Sequence, residues 1–210
     1  MLQFGVDNEQ KSAQMRRLIL LSLILFGMNQ TAISQDIRRY DVAVAGISIG
    51  EMVAKKTPNQ GGAVYEMSSK VGFWFFGKIN LDYYTVAHYK GKQLEKSEVK
   101  SITNRGNFVS KVNWTGSRYD ISARNYKYEL DTTLQKAVYA SAATFCFEEP
   151  KQISEMLSES YGLVSKVTKH KDHYSVTVNG NTNKYYYENG KLVKAVMEFP
   201  IKNYVLKLKE

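Results

Sequence analysis

The 210-residue sequence has one cysteine and three prolines. A single cysteine cannot form a disulfide within the chain, which excludes a disulfide-stapled scaffold and a zinc module built from several cysteines. The sequence also lacks a complete glycine-rich phosphate loop and the H-E-x-x-H motif of zinc proteases. We therefore predict no cofactor, no metal site and no enzymatic activity.

The N-terminus contains the three parts of a secretory signal peptide. Arg16 and Arg17 precede an eleven-residue apolar run, Leu18–Met28, and the polar stretch that follows ends in Ala32–Ser34. A basic start, an apolar core and small residues two apart are typical of a leader that is cleaved, here near Ser34. The apolar run is about half as long as the ~20 residues of a membrane-spanning helix. We predict export to the periplasm or the cell exterior, with an uncleaved anchor as the alternative.

The rest of the predicted organisation follows from this leader. Residues 1–14 are polar and precede Met15, so we interpret them as an upstream extension, and residues 35–210 as a single domain. No cysteine lies near the cleavage position, which disfavours a lipid anchor. A composition with 43% apolar and 23% charged residues is typical of a globular protein. We predict no transmembrane span in residues 35–210.

Side-chain character alternates along most of the chain after residue 40, as it does in half-buried strands. In residues 73–89 the odd positions are almost all apolar, and the even positions include Lys78 and Asp82. The strongest turn sequences are Asn179-Gly180 and Asn189-Gly190, because both central residues of a type I′ turn need a positive φ. The pattern predicts a mainly β protein: a single curved antiparallel sheet, a half-barrel or open barrel of about ten hairpin-linked strands.

Two stretches depart from this pattern. As one strand, residues 73–89 would be about 50 Å long, so we expect a bend or bulge near Gly77. Residues 132–162 carry apolar residues at helical spacing, Pro150 suits a helix start and Gly162 suits a C-cap. This segment predicts one or two helices, around which the sheet would wrap. The carboxylates of Glu148 and Glu149 would then interact favourably with the positive, N-terminal end of the second helix.

Three stretches resemble exported bacterial families of uncharacterised proteins. They are the first strand Tyr40–Glu51, with its tyrosine, glycine and Gly-Glu pair, and the stretches Phe145–Pro150 and Tyr186–Leu192. The resemblance spans most of the chain after the leader. It implies a half-barrel wrapped around a helix, similar to periplasmic lipoprotein carriers, and it implies lipid carriage only as an analogy of fold.

Aromatic residues are abundant, and tyrosine is the most frequent, with 15 Tyr, nine Phe and two Trp. Tyrosine combines an apolar ring with a polar tip, which suits a concave face that is only partly filled. Ordinary core packing is one interpretation. The site hypothesis is an apolar cleft in the concave face that binds a lipid-like ligand. Its predicted lining is Phe73, Phe75, Phe108, Trp114, Tyr126 and Tyr128.

Nucleophile and metal candidates are weaker. Cys146 lies between two phenylalanines, as a buried hydrophobe would, although a catalytic pair with His88, His170 or His173 and an intermolecular disulfide stay open. His170 and His173 have strand-like neighbours, and positions three apart in a strand point to opposite faces. The sequence therefore favours solvated turn histidines over a metal site.

The net positive charge is compatible with an anionic partner. Lys and Arg exceed Asp and Glu by nine, but the lysines are scattered along the strands, where they discourage edge-to-edge aggregation. A lipid headgroup or an acidic glycan is the alternative reason for the excess. Nucleic acid is not an expected partner of an exported chain. The second function hypothesis is an envelope structural or interaction module that binds a protein or glycan, and the oligomeric state stays undetermined.

Overall fold

The computed structural model describes residues 34–74, 78–104, 106–198 and 203–209, without the side chains of residues 73, 78 and 79. The predicted leader lies outside the described residues, except for Ser34. The described chain forms one antiparallel sheet of 14 strands. A four-residue helix, α1 (Ala142–Phe145), follows β8. The strands are β1 (Asp36–Val44), β2 (Ile47–Asn59), β3 (Gly62–Trp74), β4 (Lys78–Lys90), β5 (Gln93–Thr103), β6 (Gly106–Trp114), β7 (Tyr119–Asn125), β8 (Tyr128–Leu134), β9 (Glu155–Ser158), β10 (Leu163–Lys169), β11 (Tyr174–Val178), β12 (Asn181–Glu188), β13 (Lys191–Met197) and β14 (Tyr204–Leu208).

Apart from β8 and β9, the described strands that are neighbours in sequence pair with each other, and the first strand pairs with the last. The order across the sheet is β8-β7-β6-β5-β4-β3-β2-β1-β14-β13-β12-β11-β10-β9. The two ends of this order approach each other at a seam, where the Lys136 ammonium lies 2.6 Å from a Glu155 carboxylate oxygen. Among the described strand pairs none joins β8 to β9, so the sheet is barrel-like but not closed.

The two Asn-Gly turns confirm their prediction. Asn179 and Gly180 have φ values of 47° and 79°, and Asn189 and Gly190 have values of 51° and 77°. Ala45 repeats this geometry with a φ of 49° before a glycine at 83°, so the predicted first strand is in fact the hairpin of β1 and β2. Alanine is uncommon at a positive φ, which is why the sequence gives little warning of this turn.

The mainly β architecture is confirmed, but the predicted strand number is too low. Residues 73–89 are a hairpin and not a single bent strand, because Trp74 pairs with Lys78 and the chain reverses between them. Both strands keep their odd positions on the same face, so alternation continues across the reversal without a break. The sheet consequently has 14 strands instead of about ten.

The predicted helices in residues 132–162 are wrong, apart from the single turn of α1. The segment completes β8, runs inside the barrel, and returns as the edge strand β9. Its apolar residues are buried because the sheet surrounds the segment, not because one face of a helix packs on it. No helix follows Pro150: Glu148 accepts hydrogen bonds from Lys56 and Tyr65 instead. No helix among the described residues has the length and apolarity needed to cross a bilayer.

We call residues 137–162 the plug. Leu94 N–H at the start of β5 donates to Val138 O and joins the plug to the sheet, whereas Leu157 N–H donates to Ala140 O within the plug, both at 2.9 Å. The plug fills one end of the barrel, the plug end, where the β2–β3, β4–β5 and β12–β13 hairpins lie. We call the opposite end, with the β1–β2, β5–β6, β7–β8 and β11–β12 hairpins, the cavity end.

Tyrosine hydroxyls hold the plug in place. Tyr40 donates to the carbonyl of Cys146 at 3.2 Å, and Tyr187 to that of Phe145 at 2.7 Å. Burial raises the pKa of both tyrosines, so the phenols stay protonated and can donate. Six further tyrosines of the described strands form hydrogen bonds with the plug, namely Tyr65, Tyr83, Tyr89, Tyr119, Tyr128 and Tyr174.

The junction between plug and sheet can be tested at Gly162, which has a φ of +63°. A Cβ at this position would overlap Cγ2 of Ile121 on β7, whereas a Cβ at Gly180, with a φ of +79°, meets no atom within 4 Å. Gly180→Ala should cost roughly 1 kcal/mol of stability for the left-handed backbone alone. Gly162→Ala should cost about 1–3 kcal/mol more because of the overlap. Urea unfolding measures both, and equal losses in the two variants would show that Gly162 is not packed in this way.

Candidate functional site

A cavity of about 290 Å³ lies at the cavity end, between the plug and the strands. Its walls come from alternate residues of the strands, because side chains on the inward face recur every second position. The described residues that line it include one charged side chain, Glu198. Six of the apolar wall residues are Val42, Met52, Met67, Tyr185, Leu192 and Leu206.

The plug forms the floor of the cavity. Ala142 and Cys146 come from α1 and the residue after it, and Met156 and Ser158 come from β9. Tyr161, at the end of the plug, also lines the cavity and packs edge-on against Tyr128 with 5.0 Å between ring centroids. The floor is therefore held by the same segment that fills the other end of the barrel.

Amides and hydroxyls are interspersed at the strand ends around the cavity. Several of these groups have partners within the chain: Asn183 Oδ1 accepts the Glu198 N–H at 3.1 Å, Asn125 Oδ1 accepts the Tyr126 N–H at 2.8 Å, and the Thr103 hydroxyl donates to Gly106 O at 2.8 Å. The carboxylate of Glu198 accepts the Thr182 N–H at 2.6 Å. An apolar interior with a polar, largely uncharged fringe suits a ligand with an apolar body and a polar end. The other fringe residues are Ser69, Ser101 and Asn181.

The predicted lining residues divide into three groups. Phe108 and Tyr126 line the cavity, and Tyr126 is 45% exposed, so the cavity reaches the surface beside it. Trp114 lies at the other end of β6 and packs on Tyr119, 4.7 Å between centroids, while Tyr128 donates to Tyr161 O at the seam. The side chain of Phe73, and all of Phe75, lie outside the described residues.

Methionines are the lining residues that the sequence argument missed. Met52, Met67, Met156 and Met197 all line the cavity. Met52 and Met67 occupy the inward parity of β2 and β3, so the alternation that predicted the aromatic residues would also have found them. Thioether side chains are flexible and polarisable, and they adapt to apolar ligands of different shape.

The catalytic interpretation of Cys146 receives no geometric support. The thiol is buried, and its partner is the Met67 sulfur at 3.5 Å. Burial raises the pKa of the thiol to about 12. His88 occupies the outward parity of β4, and His170 hydrogen-bonds Ser175 while its ring stacks on His173 at 4.4 Å.

The two turn histidines lie side by side instead of on opposite faces, because residues 170–173 form the turn between β10 and β11. His173 Nδ1 also lies 2.8 Å from Asp172. The described residues nevertheless contain no group of three or more His, Cys, Asp or Glu side chains that could hold a metal ion.

The sequence contains one G-x-S-x-G pattern, Gly46–Gly50, which matches the nucleophile elbow of hydrolases. That elbow needs a strand, a sharp turn at the serine and a helix. Here Ser48 lies at the start of β2, immediately after a β-hairpin turn, and its hydroxyl hydrogen-bonds Asp41. The pattern is therefore part of a β-hairpin.

Glu159 is a buried carboxylate beneath the cavity floor, with 2% of its surface exposed. It accepts hydrogen bonds from the N–H groups of Ala142 and Ala143 at 3.1 and 3.0 Å. Burial raises the pKa of Glu159, and hydrogen bonds from Ser141 and these N–H groups offset part of that rise. Tyr89 in turn donates to the Ser141 hydroxyl at 2.9 Å, so the carboxylate is tied to the sheet.

A second, shallower groove of about 580 Å³ follows the seam. Thr132–Leu134 of the edge strand β8 form one side of it, and Gly162–Lys166 at the start of β10 form the other. Lys136 and Glu155 lie in the same groove and form an ion pair. This groove is the part of the described surface where strand edges come together without pairing.

Fold and cavity together define a barrel-like β protein with an internal apolar cavity. The chain belongs to the family described as a domain of unknown function, DUF6134, which matches residues 40–209. It also resembles the crystal structure of a beta-barrel-like protein of domain of unknown function DUF1849 from Brucella abortus, with a TM-score of 0.50 and 8% sequence identity. That likeness covers 85% of this chain and 96% of the other, and at this identity it concerns the fold alone. No curated protein matches the sequence.

The buried carboxylate gives a pH dependence with a definite sign. Because the folded protein raises the pKa of Glu159 above 4.5, it binds this proton more tightly than the unfolded chain does. The stability that the group contributes is complete below pH 4.5 and is lost as the pH rises through the raised pKa. Glu159→Gln cannot ionise, so its free energy of unfolding relative to the natural protein should rise over that interval. Urea unfolding at several pH values measures the difference, and parallel curves would contradict the assignment.

The Cys146 thiol should be inert in the folded protein. With the pKa raised to about 12, the thiolate fraction near pH 8 is about a thousandfold below that of a free cysteine. Folded protein should therefore react with an aromatic disulfide reagent far more slowly than protein in denaturant, which serves as the control. Equal labelling rates in the two samples would show that the Cys146 thiol is reactive in the folded protein.

Proposed function

We propose that this chain is an exported, non-enzymatic protein that binds an apolar, lipid-like ligand in the cavity. The observation that carries the proposal is the cavity itself. Strands of the barrel form its apolar walls, the plug forms its floor, and the polar groups lie at the strand ends around it. Such an arrangement matches the general plan of small-molecule sites, in which apolar surface supplies affinity and a few polar groups fix orientation.

The size of the cavity limits the ligand. About 290 Å³ is close to the lower limit of roughly 300 Å³ for small-molecule pockets. It suits one hydrocarbon chain or a small ring system, and it is too small for a whole diacyl phospholipid. The charged member of the described lining, Glu198, already accepts the Thr182 N–H, so the apolar walls and not an ion pair would supply most of the affinity.

Binding without chemistry follows from the polar groups that are present. Cys146 lies in the floor with a raised pKa, and Ser48 lies in strand β2 with its hydroxyl bonded to Asp41, so neither is arranged as an activated nucleophile. The export part of the proposal is supported by the basic residues, apolar run and small residues that precede Gln35. Resemblance to periplasmic lipoprotein carriers supports the same location through analogy of fold.

The seam groove favours a second function, an interaction module for a protein partner. The edge strand β8 has its backbone groups beside a groove, and an extended peptide can add to such an edge. The Lys136–Glu155 ion pair crosses this groove, so a peptide would have to displace it. The apolar cavity has no comparable obstacle, and for this reason ligand binding is our first proposal.

Two adjacent serines of β3 offer a matched test. Ser69 lines the cavity, whereas Ser68 is exposed on the convex face. Ser69→Phe places a ring in the cavity and should weaken binding of a dansyl-labelled undecanoic acid by about tenfold or more. Ser68→Phe adds the same ring outside and should leave the affinity unchanged.

The measurement is the rise in dansyl fluorescence on titration, with circular dichroism to confirm that both variants fold. Equal affinity of the two variants would place the probe elsewhere on the protein. Absence of binding by the natural protein to this probe and to simple cationic amphiphiles would contradict the proposed function.

A further inference from the structure

Exposed apolar side chains are concentrated at the cavity end of the barrel. Eight large apolar side chains are exposed among the described residues, and five of them lie at this end. Trp74 is 80% exposed and Ile47 is 70% exposed, which is unusual for side chains of this size. We call the five residues the rim: Ile47, Trp74, Ile102, Val109 and Tyr126.

The rim residues are neighbours in sequence of the residues that line the cavity. Ile102 lies between Ser101 and Thr103, and Val109 follows Phe108, all three of which line it. Tyr126 belongs to both groups, since it lines the cavity and is exposed. Because neighbouring residues of a strand point to opposite faces, Ile102 and Val109 lie on the outside of the wall that lines the cavity, and Tyr126 connects the rim with the cavity.

Basic residues are interspersed with the rim. Val109 pairs with Lys100, and the Lys127 ammonium lies 5.4 Å from the centre of the Tyr126 ring. Two acidic residues have a comparable position: Asp82 pairs with Ile102, and the Glu98 carboxylate lies 2.7 Å from the Lys100 ammonium. The whole chain has a formal charge of +9, which attracts it to an anionic surface over a distance set by the salt concentration.

We propose that the rim docks on an anionic phospholipid bilayer, so that the cavity faces the acyl chains of the outer lipid layer. Tryptophan and tyrosine are enriched at the membrane interface, where an apolar ring and a polar group are both satisfied. Exposed aliphatic side chains insert beside them, and nearby lysines interact with the headgroups. The inference deepens the proposed function, because it names a membrane as the source of the ligand. That part rests on the proposed function, whereas docking of the rim on a bilayer does not.

Trp74 provides a direct probe of docking. The chain has two tryptophans, and Trp114 packs on Tyr119 away from the rim. In a Trp114→Phe background, Trp74 alone reports, and its emission should shift to shorter wavelength when vesicles of equal parts phosphatidylethanolamine and phosphatidylglycerol are added. Brominated lipid in the same vesicles should quench it. All proteins compared are full-length, so the contribution of residues 1–33 is common to them.

Matched isoleucines separate the rim from the rest of the surface. Ile47→Ser removes a rim side chain, whereas Ile37→Ser removes a 52% exposed isoleucine at the plug end. Ile47→Ser and Trp74→Ser should each weaken vesicle binding about tenfold, as expected for a large apolar side chain that enters lipid. Ile37→Ser should leave vesicle binding unchanged, and all three variants should still bind the dansyl fatty acid in lipid-free solution.

Each outcome decides the proposal. Quenching of Trp74, together with weaker vesicle binding by the two rim variants but not by Ile37→Ser, supports it. This result supports docking even if the cavity binds no fatty acid. In that case the proposed function alone fails. Unquenched Trp74, or rim variants that bind vesicles as tightly as the natural protein, overturns it. Sedimentation that shows a dimer dissociated by Ile47→Ser also overturns it, because the rim would then be an interface between copies of the chain.

Discussion

The architecture depends on hydrogen bonds between tyrosine hydroxyls of the sheet and the backbone and side chains of the plug. Tyr187 donates to the carbonyl of Phe145, and Tyr40 together with the Arg38 guanidinium donates to that of Cys146. Both carbonyls lie at the C-terminal end of a single helical turn and have no continuing helix to bond them. A hydrogen bond of this kind contributes about 1 kcal/mol, but an unsatisfied buried carbonyl costs more. Tyrosine can fill the barrel with its ring and still reach these carbonyls, which phenylalanine cannot do.

The cavity is a consequence of where these bonds hold the plug. With α1 tied to the plug end, the plug does not extend through the barrel, and the strands beyond it face an interior that their own side chains do not fill. Glu159 also fixes the position of α1, since its carboxylate accepts the N–H groups of Ala142 and Ala143 at the start of this helix. The position of the plug therefore determines where the floor of the cavity lies and how large a ligand can fit.

Local rules account for what could be read from the sequence. Alternation predicted which faces of the strands are buried, and the Asn-Gly pairs predicted two turns with positive φ at both residues. The structure of residues 132–162 could not be predicted in this way. The spacing of their apolar residues indicates burial, but it does not distinguish a helix that packs one face on a sheet from a segment that a barrel surrounds. The same limit applies to the site. Trp114 and Phe108 share the inward face of β6, but only the position of the plug decides that Phe108 meets the cavity while Trp114 packs on Tyr119.

The central claim is that the barrel interior beyond the plug is apolar, unfilled and accessible, and the methionines allow a direct measurement of it. Four of the seven methionines, Met52, Met67, Met156 and Met197, line the cavity, and the other three precede residue 34. Apolar cavities bind xenon, so xenon dissolved under pressure should shift the methyl signals of these four residues in a protein labelled with ¹³C at the methionine methyls. The account predicts saturable shifts for the four cavity methyls. Four methyl signals that do not respond to xenon would show that the interior is already filled, and would contradict it.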